Sequence, residues 1–305
     1  MISVVIPVKD GGADLVRCLE AIGRQRIDHE IEVVVVDSGS RDGSAERAGR
    51  LGARVHSISP DEFHHGRTRN IGAEIARGDV LVFTSQDAYA ADHRWLAALV
   101  APLTRDEAVA GVYGRQLPHE TARPPERYFL DFLYGPEARV QRLGSVKELS
   151  FEETLFSNVN SAIPRRVWNE NPFADDVVMS EDQEWSRRVL LAGRSIVYAP
   201  DAVVYHSHAY SIVDAFRRFF DSGASADRSY MSDDRRSRQA LRGAAARYAR
   251  DELTWLWRTG QRRWIPYTAL YESAKFGGLQ LGRRHRHLPA SLRRRLSHYP
   301  SYWAE

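Results

Sequence analysis

Short runs of valine and isoleucine recur through the first 118 residues, and the stretches between them carry helical periodicity. Residues Ile2–Val8, Glu30–Asp37, Arg54–Ile58, Asp79–Thr84 and Val109–Leu117 read as strands. Asp14–Arg24, Asp42–Leu51, Thr68–Ala76 and His93–Leu103 read as helices. Apolar strands that alternate with helices form a mainly parallel sheet covered on both faces. That predicts a doubly wound α/β fold, whose ligands bind beyond the carboxyl ends of the strands. A chain of 305 residues is long enough for one such domain and a smaller appendage.

The rhythm is lost over residues 119–156, where Pro124, Pro125, Gly135, Pro136 and Gly144 predict loops or short helices at the rim of a cleft. Ser180 and Gln183 have capping-box spacing and predict a helix running to Ala192, with Gly193 as its stop. Ser195–Ala199 and Ala202–His206 read as two strands separated by a turn at Pro200-Asp201. From Ser211 the pattern is helical and basic, and there is no internal repeat.

Cys18 is the only cysteine, which excludes an intrachain disulfide and a cysteine-built zinc site. The N-terminus opens directly on a strand rather than a basic, then apolar, leader. No apolar run approaches the length of a membrane span. An intracellular protein is expected, though not necessarily one free in the cytosol. The net charge of +3 hides an asymmetry: residues 235–305 hold 16 Lys and Arg against four Asp and Glu, leaving −9 on the first 234. An acidic body with a basic tail signals a partner without naming it.

The turn after the first strand, Lys9-Asp-Gly-Gly12, lacks the spacing of a dinucleotide fingerprint, and no P-loop occurs. Asp37 ends the second strand in Asp37-Ser-Gly-Ser-Arg-Asp42. It can hold a base or ribose, or belong to a capping turn with Ser40 as N-cap. The fourth strand delivers Ser85, Gln86 and Asp87 to its carboxyl edge, where a carboxylate can hold a metal against a diphosphate. Glu181 and Asp182 occupy the first turn of the Ser180 helix, where carboxylates also suit the helix dipole. Their side chains point about 100° apart, so one of them aims into a cleft. Strand alternation puts His206 and His208 on one face, as a metal-ligand pair requires.

Eight short strings in order resemble family 2 glycosyltransferases with the GT-A fold, and more narrowly bacterial rhamnosyltransferases. They are Val4–Val8, Val36–Ser40, Phe63–Asn70 followed by Gly72, Phe83–Tyr89, Tyr113–Gln116, Phe156–Ser161, Glu181–Trp185 and His206–Ser211. The resemblance implies a GT-A catalytic domain over 1–210, with a nucleotide-binding half to about 118, and a helical basic region over 211–305. It implies that Pro7, Val8, Asp37 and Ser38 line the base and ribose pocket, and that Arg69, Asn70 and Gln86 face the donor. It makes Asp87 the final aspartate of an Asp-X-Asp metal motif, completed by His206 or His208, and Asp182 of the Glu181-Asp182 pair the general base. Gln116, Asn158, Asn160 and Trp185 would meet the sugar or acceptor. Ser85 stands where the motif usually has its first aspartate, which removes one charge from the metal site.

The implied reaction is a single displacement with inversion, in which an ionised Asp182 takes the acceptor's proton and Mg²⁺ or Mn²⁺ offsets charge on the departing nucleoside diphosphate. An imidazole ligand tilts the choice toward Mn²⁺. Thymidine-diphosphate rhamnose is the favoured donor; uridine- and guanosine-diphosphate sugars are the alternatives. The expected acceptor is a saccharide or lipid-linked saccharide in bacterial surface-polysaccharide synthesis. In the tail, Trp255, Trp257, Trp264, Tyr267, Tyr271, Phe276 and Trp303 are interleaved with arginines, and Lys275 lies among them. The pattern suits either a peripheral contact at the inner face of the plasma membrane or packing on the catalytic core. A sugar-phosphate nucleotidyltransferase is disfavoured by the short glycine segment, a nucleic-acid binder by the acidic body, and a non-catalytic binding protein by Asp87, Asp182 and His206.

Overall fold

The computed structural model describes residues 1–143, 153–229 and 235–303, with the side chains of 235–242 left out; Gly144 of the predicted rim lies outside them. Strand β1 (Ile2–Val8) is flanked by β2 (Ile31–Asp37) and β4 (Val80–Thr84), and β3 (Arg54–Ser57) lies outside β2, all parallel. These strands fall within a residue of their predicted bounds; in β1, β2 and β4 most valines and isoleucines are buried on both faces, while β3 is a short edge strand with exposed His56 and Ser57. Ile2, Val4, Ile6 and Val8 pack against α1 (Gly12–Gly23), α2 (Ser44–Arg50) and α4 (Trp95–Val100). Val5 faces the opposite layer, built by α3 (His65–Ile75), α5 (Pro124–Leu133), α6 (Arg165–Glu170) and α7 (Glu181–Leu191). The doubly wound arrangement is as expected.

Beyond β4 the sheet becomes mixed. Strand β8 (Asn160–Pro164) inserts antiparallel between β4 and β6 (Val109–Leu117), and β9 (Ser195–Tyr205) runs parallel to β6. Two short strands, β5 (Tyr89–Ala90) and β7 (Arg139–Gln141), pair antiparallel with β9. Among the described residues the order is β3-β2-β1-β4-β8-β6-β9-β5.

Two predicted local features are corrected. Ser195–His206 is not two strands around a turn: β9 is continuous, and the register shift opposite Gly114/Arg115 absorbs Pro200 and Asp201 as a bulge. A bulge suits proline, whose missing N–H then breaks no ladder bond. Helix α2 begins at Ser44 after Gly43, so Ser40 is not its N-cap; Asp37 Oδ2 instead accepts from the Gly39 and Ser40 amides.

After β9 the chain forms α8 (Ile212–Ser229), α9 (Arg235–Arg258), α10 (Ile265–Gly282) and α11 (Ala290–Leu296). Helices α8 and α10 cross closely: a Cβ on Gly278 or Gly282 would overlap the Phe216 or Phe220 carbonyl. Helix α8 also closes on the segment before α7. Met179 N donates to Ser225 Oγ at 3.3 Å, and Ser229 Oγ donates to the Ser180 carbonyl at 3.3 Å. Of the tail aromatics, Trp303 and Tyr271 are buried, while Trp257 and Phe276 are exposed. Among the described residues no helix is long and apolar enough to cross a membrane.

Candidate active site

A cleft of about 370 Å³ opens at the carboxyl ends of β1 and β4. Pro7, Val8, Arg69, Gln86, Asp87, Glu181, Asp182, His206 and His208 border it, which brings together residues read from five separate stretches of sequence. Asp37 and Ser38 lie buried behind this lining. One oxygen of Asp37 is held by the two backbone amides; its other oxygen and the Ser38 hydroxyl have no partner among the described residues. Gln86 exchanges two hydrogen bonds with the Lys9 backbone, at 2.8 and 3.0 Å, tying the end of β4 to that of β1.

Asp87, His206 and His208 present ligand atoms that all lie within 4.8 Å of one another. His206 Nε2 is 3.7 Å and His208 Nδ1 3.5 Å from the Asp87 carboxylate. His206 Nδ1 meets Gln116 Oε1 at 2.9 Å. A carboxamide oxygen only accepts, so Nδ1 carries the proton and Nε2 turns its lone pair toward Asp87. Burial pushes both imidazoles down to about 3, so they stay neutral, as metal ligation requires. One carboxylate and two neutral imidazoles, with the tautomer of one fixed from behind, fit a divalent cation.

The carboxylate pair is arranged differently from its prediction. Ser180 takes a left-handed conformation (φ 64°) and makes no side-chain cap, so the expected capping box is absent. Such a backbone costs a non-glycine residue on the order of 1 kcal/mol or more. It is held by the α8 contact to the Ser180 carbonyl. Glu181 is buried, with Arg69 Nη1 at 3.0 Å and Asn158 Nδ2 at 3.2 Å. Burial would raise its carboxyl, but Arg69 and these contacts hold it below the ordinary carboxylate range. Asp182 accepts from the Asn158 amide at 3.2 Å and the Gln183 amide at 2.9 Å. Burial first, and then the neighbouring Glu181 charge, push it up to about 7. The sequence-based expectation of an ionised Asp182 with an ordinary acidity is therefore corrected: burial and the Glu181 charge favour its protonated form well above the usual carboxylate range.

Several residues expected at the ligand are internal supports. The Asn70 carboxamide accepts from Trp168 Nε1 and Phe173 N and donates to the Phe173 carbonyl, so it fastens α3 to α6 rather than facing the cleft. Arg69 reaches the cleft, but its guanidinium is engaged by Glu181 and the His65 carbonyl. Asn160 bridges Trp95, Arg115 and Ala202 in the sheet, and Trp185 is fully buried with its indole N–H on the Asn171 carbonyl. Gln116 and Asn158 sit one layer behind, on His206 and on the carboxylate pair. Lys9, Tyr210, Arg218 and Tyr299 line the cleft without having been expected there. No sequence signal set Arg218 or Tyr299 apart from the other basic and aromatic residues of the tail.

A family model described as glycosyl transferase family 2 matches residues 3–167. The chain belongs to glycosyl transferase family 2. It is 32% identical to the O-antigen chain rhamnosyltransferase RfbN of Salmonella typhimurium, over 99% of this chain and 96% of that protein. It is 33% identical to the O-antigen chain rhamnosyltransferase WbaN of Salmonella anatum, over 89% of this chain and 86% of its relative. In fold it is similar to the mannosyltransferase PcManGT of Pyrobaculum calidifontis, solved with GDP-Man and Mn²⁺. That likeness has a TM-score of 0.59 at 19% identity and covers 91% of this chain and 86% of the other. It is also similar to S. aureus TarS 1–349, with a TM-score of 0.53 at 13% identity, over 94% and 91% of the two chains. The protein is thus a glycosyltransferase with a GT-A-type fold.

Proposed function

We propose that this family 2 enzyme transfers L-rhamnose, with inversion, from thymidine-diphosphate rhamnose to a hydroxyl of a saccharide or lipid-linked saccharide during surface-polysaccharide assembly. The rhamnose assignment is supported by two rhamnosyltransferase relatives that match across most of the chain. The observation that carries the mechanism is the meeting of Asp182 with the Asp87–His206–His208 trio in one cleft.

The acceptor oxygen attacks the anomeric carbon as the bond from that carbon to the diphosphate oxygen breaks. The acceptor's proton passes to the Asp182 carboxylate, and the nucleoside diphosphate departs with the bonding electron pair. A divalent cation held by Asp87, His206 and His208, with Mn²⁺ favoured by the two imidazoles, supplies positive charge at the diphosphate. Glu181 does not compete for the proton, because Arg69 holds it ionised. Its charge makes Asp182 a stronger base than an isolated aspartate. Turnover of a panel of nucleotide sugars, followed by release of the nucleoside diphosphate, tests donor and reaction together.

A peripheral contact with the inner face of the plasma membrane is part of the same proposal. It is supported by exposed Trp257, with the Arg262 guanidinium 3.9 Å above its ring, and by exposed Leu270 and Phe276 in the basic tail. The triple variant Trp257→Ser, Leu270→Ser, Phe276→Ser should sediment with anionic vesicles several-fold less than the wild-type protein. Equal sedimentation would exclude this surface as the contact.

A further inference from the structure

The cleft contains a cation with no hydrogen-bonded or ion-paired partner among the described residues. Arg218 stands in the second turn of α8, half-buried, and lines the cleft with Asp87, Asp182, His206 and His208. The other cations there are engaged: Arg69 by Glu181, and Lys9 by the Ser38 and Gly39 carbonyls. Among the described residues Arg218 has no hydrogen bond and no ion pair. Its guanidinium carbon lies 5.5 Å from the centroid of the Tyr210 ring, and Asp182 and Glu126 act on it only through space. A guanidinium carries five N–H donors, and at Arg218 none is taken up by a protein acceptor among the described residues, which leaves them for an anion in the cleft.

The location narrows the anion. Arg218 lines the same cleft as Asp87, His206 and His208, which puts it in one cavity with the candidate metal trio. Helix α8 is also held firmly. The glycines of α10 let it pack closely, and Asp221 Oδ2 accepts from the His298 amide at 2.8 Å and the Tyr299 amide at 3.3 Å. The guanidinium therefore projects from a fixed wall rather than from a loose tail.

We infer that Arg218 holds the diphosphate of the nucleotide-sugar donor, as a second positive contact beside the cation site of Asp87, His206 and His208. The inference rests on the donor class proposed above. As the bond from the anomeric carbon to the diphosphate oxygen breaks, that oxygen keeps the electron pair. Arg218 stays protonated and donates hydrogen bonds to the phosphate oxygens, transferring no proton. A planar fork of donors matches phosphate better than a point charge does. Residues beyond 210 are on this account part of the active site, not an appendage to it.

The test is calorimetric titration of the full chain in Mg²⁺ buffer with inorganic pyrophosphate, dTDP, UDP, GDP and thymidine. Wild type is compared with Arg218→Gln and Arg218→Lys. Loss of a charge-assisted contact should weaken pyrophosphate and the tightest nucleoside diphosphate by about 10- to 100-fold in Arg218→Gln, leave thymidine unchanged, and be partly restored in Arg218→Lys. Wild-type affinity for both anions in Arg218→Gln would overturn the assignment. So would parallel weakening of thymidine and dTDP, the mark of a merely structural role. If no nucleoside diphosphate binds the wild-type protein more tightly than pyrophosphate does, the donor reading fails, and the pyrophosphate arm alone decides Arg218.

Discussion

Asp182→Asn is expected to lower turnover by about 10²- to 10⁴-fold, the usual worth of a positioned general base, while nucleoside diphosphate affinity stays within a few-fold. An amide has the shape of the carboxylate but cannot take the acceptor's proton. The same residue predicts the pH profile. With its carboxyl pushed up to about 7, kcat/KM should rise with pH through that region rather than level off near 4. A second consequence concerns stability and has the opposite sign. The folded chain binds the Asp182 proton more tightly than the unfolded chain does. The stability this contributes is complete below the unfolded value of 3.8 and is lost as pH rises through about 7. Asp182→Asn should therefore raise the melting temperature by a few degrees at pH 8, with the gain vanishing toward pH 4. A variant that is inactive and also less stable at pH 8 would indicate a structural role for Asp182 instead.

Asp87→Ala is expected to cost about 10³-fold in turnover, since a cation at a departing diphosphate is worth several kcal/mol. Wild-type protein treated with a chelator should fall to the same level, and added Mn²⁺ should restore the wild type but not the variant. The Gln116 contact makes a graded companion. Gln116→Leu removes the acceptor that fixes the His206 tautomer and should weaken Mn²⁺ binding by about 10- to 100-fold, with activity recoverable at high Mn²⁺. If Asp87→Ala retains Mn²⁺-stimulated activity, the cation is held elsewhere.

The central parallel strands β1, β2 and β4 were legible because they are nearly continuous apolar runs, and a run buried on both faces leaves an unmistakable trace. The carboxyl-edge residues followed from it: once β4 is placed, Asp87 must emerge at its end. The histidines needed less than a correct secondary structure. The expected break at Pro200-Asp201 was wrong, yet a bulged strand carries His206 to the same edge as two separate strands would. The capping box failed because Ser180-x-x-Gln183 specifies a local geometry, and here the α8 contacts and a left-handed Ser180 set the start of α7. Asn70, Asn160 and Trp185 were misjudged for a different reason. A polar group within a motif can satisfy a ligand or a buried backbone equally well, and only the fold decides between them. Arg218 was illegible because one arginine in a basic tail looks like its neighbours until α8 is docked against α7.

The central claim is that Asp182 and the Asp87–His206–His208 trio act on a nucleotide-sugar donor in one cleft. The most direct test offers purified protein thymidine-, uridine- and guanosine-diphosphate sugars in parallel, with Mn²⁺ and a saccharide acceptor, and follows nucleoside diphosphate release. The account predicts release from thymidine-diphosphate rhamnose above the others, abolished by Asp87→Ala and by Asp182→Asn. Release that persists undiminished in both variants would contradict it.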